Sequence, residues 1–140
     1  MNHPLGVKLL VPTLGMLSAI SIPSGVALIS SPTGEAIGAQ TILPRLTQQL
    51  PFLADFMPVG IFLLVVYGLA PLGLAYGLWA RWSLAWPLTL LLGITEMVWI
   101  GAEIALFYDL GFFFFYPIIA GMGAITAILC LFPSVKAFYH

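Results

Sequence analysis

Charge is what this chain has least of. Its 140 residues include four Lys or Arg and five Asp or Glu, 6% of the total, where soluble domains carry about 25%. So few charges cannot keep a chain that is 61% hydrophobic dispersed in water. The four basic residues form no patch, which excludes nucleic acid as a partner. A single cysteine, Cys130, excludes an internal disulfide and a cysteine-only metal cluster. The two histidines, His3 and His140, stand at the ends, so no pair of helices can offer axial ligands to haem. No HExxH, P-loop, nucleophile elbow or CxxC occurs. Cys130 lies in "AILCLFP" without a neighbouring base, and Ser24 in "IPSGV" has nothing to activate it. An enzyme is hard to assemble from these parts. No catalytic residue, metal site or cofactor is expected.

Long apolar runs are there instead. A helix rises about 1.5 Å per residue, so about 20 apolar residues cross a hydrocarbon layer roughly 30 Å thick. Four runs qualify: about 9–30, 59–80, 84–107 and 112–132. They are continuous rather than alternating, which selects helices over a β-barrel. The first run follows Lys8 and superficially suits a cleaved leader, yet it is long enough to span and reads as a retained helix. The sequence therefore predicts an all-α integral membrane four-helix bundle, residues 1–140 forming one domain with the bilayer as its partner.

The connections differ in length. Residues 81–83 and 108–111 are hairpin-tight, which makes runs two and three, and three and four, antiparallel neighbours. Residues 32–58 are long. Within them "AQTILPRLTQQL" sets Ala39, Ile42, Leu43, Leu46 and Leu50 at helical spacing, with Gln40, Arg45, Gln48 and Gln49 elsewhere on the wheel. Pro44 and Pro51 punctuate it, and the pattern predicts a short surface helix. With four crossings Lys8, Arg81 and Lys136 share one side and Arg45 the other, so both termini are expected to be cytoplasmic. Trp79, Trp82 and Trp86 make an aromatic belt near Arg81. Tyr108, Phe112 to Phe115 and Tyr116 make the opposite one. Asp109 reads as a solvated turn residue.

Two acids interrupt the third run. Glu96 lies near mid-depth and Glu103 about one turn from the outer boundary. Seven residues apart, at about 100° per residue, they lie within about 20° of each other around the axis. An acid facing lipid at mid-depth costs at least about 2.5 kcal/mol, so this face must turn into the bundle. No basic residue lies at matching depth. The hydrogen-bond partners on offer are Thr13, Ser18 and Ser21 in the first run, Tyr67 in the second and Thr126 in the fourth. Pro12, Pro23, Pro71 and Pro117 each free a carbonyl one turn earlier. Glu96, Glu103 and Tyr67 are thus candidates for ligand contact or proton relay. The competing reading makes the acids helix-to-helix glue. For close packing, "GLAYG" offers Gly73 and Gly77, and "AGMGAITA" offers Ala120, Ala124 and Ala127 with Gly121 and Gly123 beside them.

The long loop running through "PFLADFMPVG", the arginine in "WARW", "WIGAE", and "YPIIAGMG" before "PSVK" together resemble a group of short four-span bacterial membrane proteins of uncharacterised function. The resemblance implies a four-helix bundle in a bacterial inner membrane and transfers no site residue. Glu103 falls inside its motifs and Glu96 outside. Two functional expectations follow: a non-catalytic accessory or stabilising subunit of a larger membrane complex, or a carrier or binding protein for a small lipophilic molecule or protons that uses Glu96 and Glu103.

Overall fold

The structure, a computed structural model, describes residues 3–37, 40–107 and 115–139, with the side chains of residues 37, 107 and 115–117 excepted. The 108–111 connection, Asp109 and Phe112 to Phe114, on which the outer aromatic belt rests, lie outside the described residues.

Every regular element among the described residues is helical. Helix α1 runs Leu5–Ser30 and carries Pro12 and Pro23 inside it. Each proline removes an N–H from the ladder, and each is followed by a hydroxyl that folds back one turn. Thr13 Oγ1 donates to the Leu9 carbonyl at 2.8 Å, and Ser24 Oγ to the Ile20 carbonyl at 2.8 Å. A 3₁₀ turn at Glu35–Ile37 leads to α2, Leu43–Gln49, with Pro44 in its first turn. A short helix is therefore present in the long connection but starts later than the apolar spacing suggests. Ala39, the first residue of that pattern, lies outside the described residues.

Helix α3 covers Met57–Trp79. It is not uniform: residues Leu63–Leu69 form a π-helical segment in which Ala70 N–H reaches back five residues to the Val65 carbonyl. Pro71 explains it. Its ring crowds the preceding turn and brings no donor, and a widened turn relieves both faults. Asp55 accepts a hydrogen bond from the Met57 N–H at 3.0 Å and fixes the start of α3.

Helix α4 runs Ala85–Phe107 and α5 runs Phe115–Leu131. α1, α3 and α4 are each long and apolar enough to cross a membrane. α5, with 17 residues, spans about 26 Å at about 1.5 Å per residue, shorter than the 112–132 run. It ends because Phe132 adopts an extended backbone (φ −60°, ψ 135°), and Pro133 then opens a separate short helix, α6, Pro133–Phe138. The sequence reading did not anticipate α6.

α1 packs along the length of α3 and against α5. α5 packs along α4, and α4 closes against α3. Two glycine pairs set the closest crossings. A Cβ on Gly25 of α1 would stand 2.8 Å from the Gly60 carbonyl oxygen of α3, and the reverse distance is 2.9 Å. A Cβ on Gly93 of α4 would stand 2.9 Å from the Gly123 carbonyl of α5, and the reverse distance is 3.0 Å. In both pairs backbone meets backbone, which no larger residue permits.

At Gly73 the structure corrects the expected packing stripe. Nothing lies within 4 Å of a Cβ placed there, and none lies near one on Gly121 either. Gly73 instead lines an open apolar groove of about 540 Å³ between α3 and α4, with Val66, Ala70, Leu88, Leu91 and Thr95. Gly77 does pack closely, but against Trp82 and Ala85 of the adjoining turn. On α5, Ala127 is buried, while Ala120 and Ala124 are half-buried.

One end of the molecule gathers the chain start, the α3–α4 turn and α6. His3 stacks on Trp79 (4.0 Å between centroids) and Arg81 lies 4.4 Å over the Phe138 ring. The Tyr139 hydroxyl donates to the Leu78 carbonyl at 2.5 Å. Arg81 holds a positive φ of 64°, unusual outside glycine, and this tightens the turn between α3 and α4. At the opposite end α2 lies over the bundle, where Arg45 Nη1 donates to the Leu106 carbonyl at 3.2 Å. A second apolar cluster, built on Leu28, Ile42, Leu46 and Phe56, fills the space beneath it.

Candidate functional site

Helix α4 turns one face inward at positions 89, 92, 96 and 100. Thr89 and Glu96 are among its most deeply buried side chains, at 0% and 1% exposed. The inward direction of Glu96 follows from the close crossing beside it: a Cβ on Gly123 would lie 3.2 Å from the Glu96 Cβ. The same glycine pair that brings α4 against α5 therefore seats the acid between them.

Of the hydroxyls on offer to Glu96, those of Ser18, Thr126 and Thr13 bond elsewhere. Ser18 Oγ donates to the Gly68 carbonyl at 2.7 Å and ties α1 to the π segment of α3. Thr126 Oγ1 donates to its own helix at Met122 (2.8 Å), Thr89 Oγ1 to Ala85 (2.6 Å) and Thr13 Oγ1 to Leu9 (2.8 Å). Both oxygens of Glu96 are buried, and among the described residues neither has a hydrogen-bond partner. Buried polar atoms without partners are rare in native proteins and call for an explanation. The glue reading needs a bond from this carboxyl to another helix, and no described residue supplies one.

Tyr67, 2% exposed, shares that condition: its hydroxyl also lacks a partner among the described residues. Thr95 lies close to the phenol, but its hydroxyl already donates to the Leu92 carbonyl at 2.9 Å, and the pair misses hydrogen-bond geometry. Tyr67 belongs to the π segment, and such segments occur often at functional sites. It stands within electrostatic reach of both Glu96 and Glu103. The three candidates taken from the sequence thus converge on one region between α3 and α4.

An aromatic cluster joins them. Trp99 of α4 stacks on Phe62 of α3, 4.7 Å between centroids, and meets Tyr67 edge-on at 6.5 Å. Phe62 and Tyr67 are themselves T-shaped at 5.4 Å. Trp99 lies three residues after Glu96 and four before Glu103, so the three share a face of α4. Its indole stands beside the Glu103 carboxyl.

Glu103 differs from Glu96 in that it opens into a pocket. A cavity of about 330 Å³ is walled by Leu46 of α2, by Leu50, Phe52, Leu53 and Phe56 of the segment between α2 and α3, by Pro58, Val59 and Phe62 of α3, and by Trp99, Ala102, Glu103 and Leu106 of α4. Its walls are almost wholly apolar, and Glu103 carries the one ionisable side chain among these residues. The Phe56 N–H donates to the Pro32 carbonyl at 2.8 Å, which folds the long loop back and holds the pocket's outer wall. Phe52, Phe56, Phe62 and Trp99 were not among the residues singled out from the sequence. Trp99, four residues before Glu103, could have been related to it by helical spacing; nothing in spacing relates Phe52, Phe56 or Phe62 to Glu103.

Among the described residues no group of three His, Cys, Asp or Glu is placed to hold a metal ion. Cys130 is buried, and its carbonyl accepts the Trp86 indole N–H at 2.7 Å. Comparison with protein-family models, with characterised proteins and with solved structures returned no match for this chain. The site must be read from its own geometry.

Proposed function

We propose that this chain binds a small lipophilic molecule within a membrane, in the pocket between α2, α3 and α4. One observation carries the reading. Glu103 opens into an apolar cavity of ligand size, and directly behind it Glu96 and Tyr67 hold buried polar atoms that no described residue satisfies. Ligand pockets run from about 300 to 1,000 Å³ and combine apolar walls with few polar groups. A site that served only to join helices would have these groups bonded to one another.

In this reading four helices cross the bilayer. α5 is the fourth, at the short end of the usable range of about 17–25 residues. Lys8, Arg81 and Lys136 mark the cytoplasmic side, with both termini there and α2 on the outer face of a bacterial inner membrane. The pocket then sits at the outer boundary and opens beneath a surface helix.

The test is native mass spectrometry of the full chain purified in mild detergent. The expected result is a co-purifying small lipophile lost in Leu50→Trp, which fills the cavity, and retained in Leu72→Trp, which points away from it. Equal retention in both variants refutes the pocket. Glu96→Gln keeps shape while removing a titrating group. Ligand release that stays unchanged across pH in this variant, and identical to wild type, excludes a proton-coupled role.

The second reading, an accessory subunit of a larger complex, draws on the α3–α4 groove. An open channel of about 540 Å³ floored by Gly73 gives a neighbouring helix a place to approach the backbone. Migration of the chain with a much larger complex in mild detergent supports it, and migration as a solitary monomer counts against it.

A further inference from the structure

Resting on the pocket reading above, we infer that the ligand is a lipophilic organic cation, bound through its ammonium group by Glu103 and the surrounding rings. The polarity of the lining decides this. Its polar side chain is a carboxyl, and no Lys, Arg or His stands among the lining residues. Arg45, on the roofing helix, is not among the lining residues, and its Nη1 donates to the Leu106 carbonyl at 3.2 Å.

Three ligand classes can be weighed against that lining. An anion meets a carboxyl and no basic side chain among the lining residues, so it is disfavoured. A neutral lipophile fits the apolar walls but covers the Glu103 carboxyl without giving it a charge-assisted contact. An organic cation satisfies the carboxyl with a charge-assisted contact while its apolar groups meet the walls. The walls favour the same class. Phe52, Phe56, Phe62 and Trp99 provide four aromatic side chains around one acid, and ring faces attract ammonium groups, tryptophan most strongly. Aromatic rings around a cation, with an acid at one side, are a recurrent arrangement for quaternary ammonium ligands. The Phe62–Trp99 stack makes part of that wall rigid, which lowers the cost of ordering on binding.

The experiment compares three probes of one shape on the full chain in lipid nanodiscs, with empty nanodiscs subtracted. They are benzyltrimethylammonium, its uncharged carbon isostere neopentylbenzene, and the anion phenylmethanesulfonate. The cation is expected to bind about tenfold more tightly than the isostere, the factor given by about 1.4 kcal/mol of differential interaction. The anion is expected not to bind. Glu103→Gln should narrow the ratio of cation to isostere, leaving the part contributed by the rings, with its melting curve in nanodiscs serving as the check on folding. If Glu103→Gln does not fold, the wild-type ratio of cation to isostere decides alone. Equal affinities in the wild-type chain overturn the cation inference and leave the pocket standing. No saturable binding of any probe overturns the pocket reading itself.

Discussion

Gly93 and Gly123 meet across α4 and α5 so closely that a Cβ on either would stand 2.9–3.0 Å from the other's carbonyl oxygen. Backbone faces backbone there, and no rotamer change can relieve the contact. Gly93→Ala and Gly123→Ala should each cost about 1–3 kcal/mol, the usual penalty for overpacking. Thermal unfolding in detergent measures it. Gly73→Ala is the control: it faces open space and should be neutral or slightly stabilising through better helix propensity. If Gly73→Ala destabilises as much as Gly93→Ala, the assignment of close crossings is wrong.

Ser18 ties α1 to the π segment through the Gly68 carbonyl. Hydrogen bonds between membrane helices contribute about 0.6 kcal/mol on average and up to about 1.7 kcal/mol. Ser18→Ala should lie in the upper part of that range, because both groups are buried. Thr13→Ala removes only a bond within its own helix and should leave the melting temperature nearly unchanged. A larger loss in Thr13→Ala than in Ser18→Ala would reverse the assignment.

The sequence made some of this arrangement legible and hid the rest for physical reasons. Apolar runs report the helices directly, since length and hydropathy are local properties. The seven-residue spacing of Glu96 and Glu103 reports a common face for the same reason. Pro44 marked the start of α2 within a residue. Close crossings are not local. Gly25 and Gly60 belong to different helices and form no glycine pair at four-residue spacing in either, whereas Gly73 and Gly77 form one and do not meet another helix in the same way. Pro71 reads as a simple break, and only the folded helix shows it absorbed by a π segment around Tyr67. The partner of Glu96 could not be chosen from a list of hydroxyls, because each hydroxyl also sees its own helix's carbonyls at short range, and Thr13, Thr89 and Thr126 bond there. The pocket depends on residues 50–56 folding back beneath α2, which no periodicity encodes.

Glu96→Leu separates the two roles proposed for this acid. The carboxyl gains no hydrogen bond from any described residue, so an apolar side chain of similar volume should stabilise the fold. Replacing buried ion pairs by apolar side chains has raised stability by about 1–4 kcal/mol elsewhere, and removing a buried acid without a partner acts in the same direction. The melting temperature should rise, while any pH dependence of ligand binding disappears. A fall in melting temperature would show that Glu96 bonds one helix to another, and would return it to a structural role.

Tyr139 docks α6 against the turn between α3 and α4 by donating to the Leu78 carbonyl. Burial is the main influence on its phenol and pushes the pKa up from 10.0 to about 12, with the neighbouring Cys130 raising it further and Arg81 opposing. The folded state therefore favours the neutral, donating form. A folded pKa above the unfolded one contributes stability that is complete below about pH 10 and declines as pH rises from about 10 towards 12. Limited proteolysis after residue 132 should show α6 loosening across that window. Tyr139→Phe loses the bond at every pH. Its α6 should be more susceptible at pH 8, as loss of about 1 kcal/mol predicts, and its susceptibility should no longer change between pH 10 and 12. A variant that keeps the wild-type pH profile would assign the loosening to some other group at that end of the molecule.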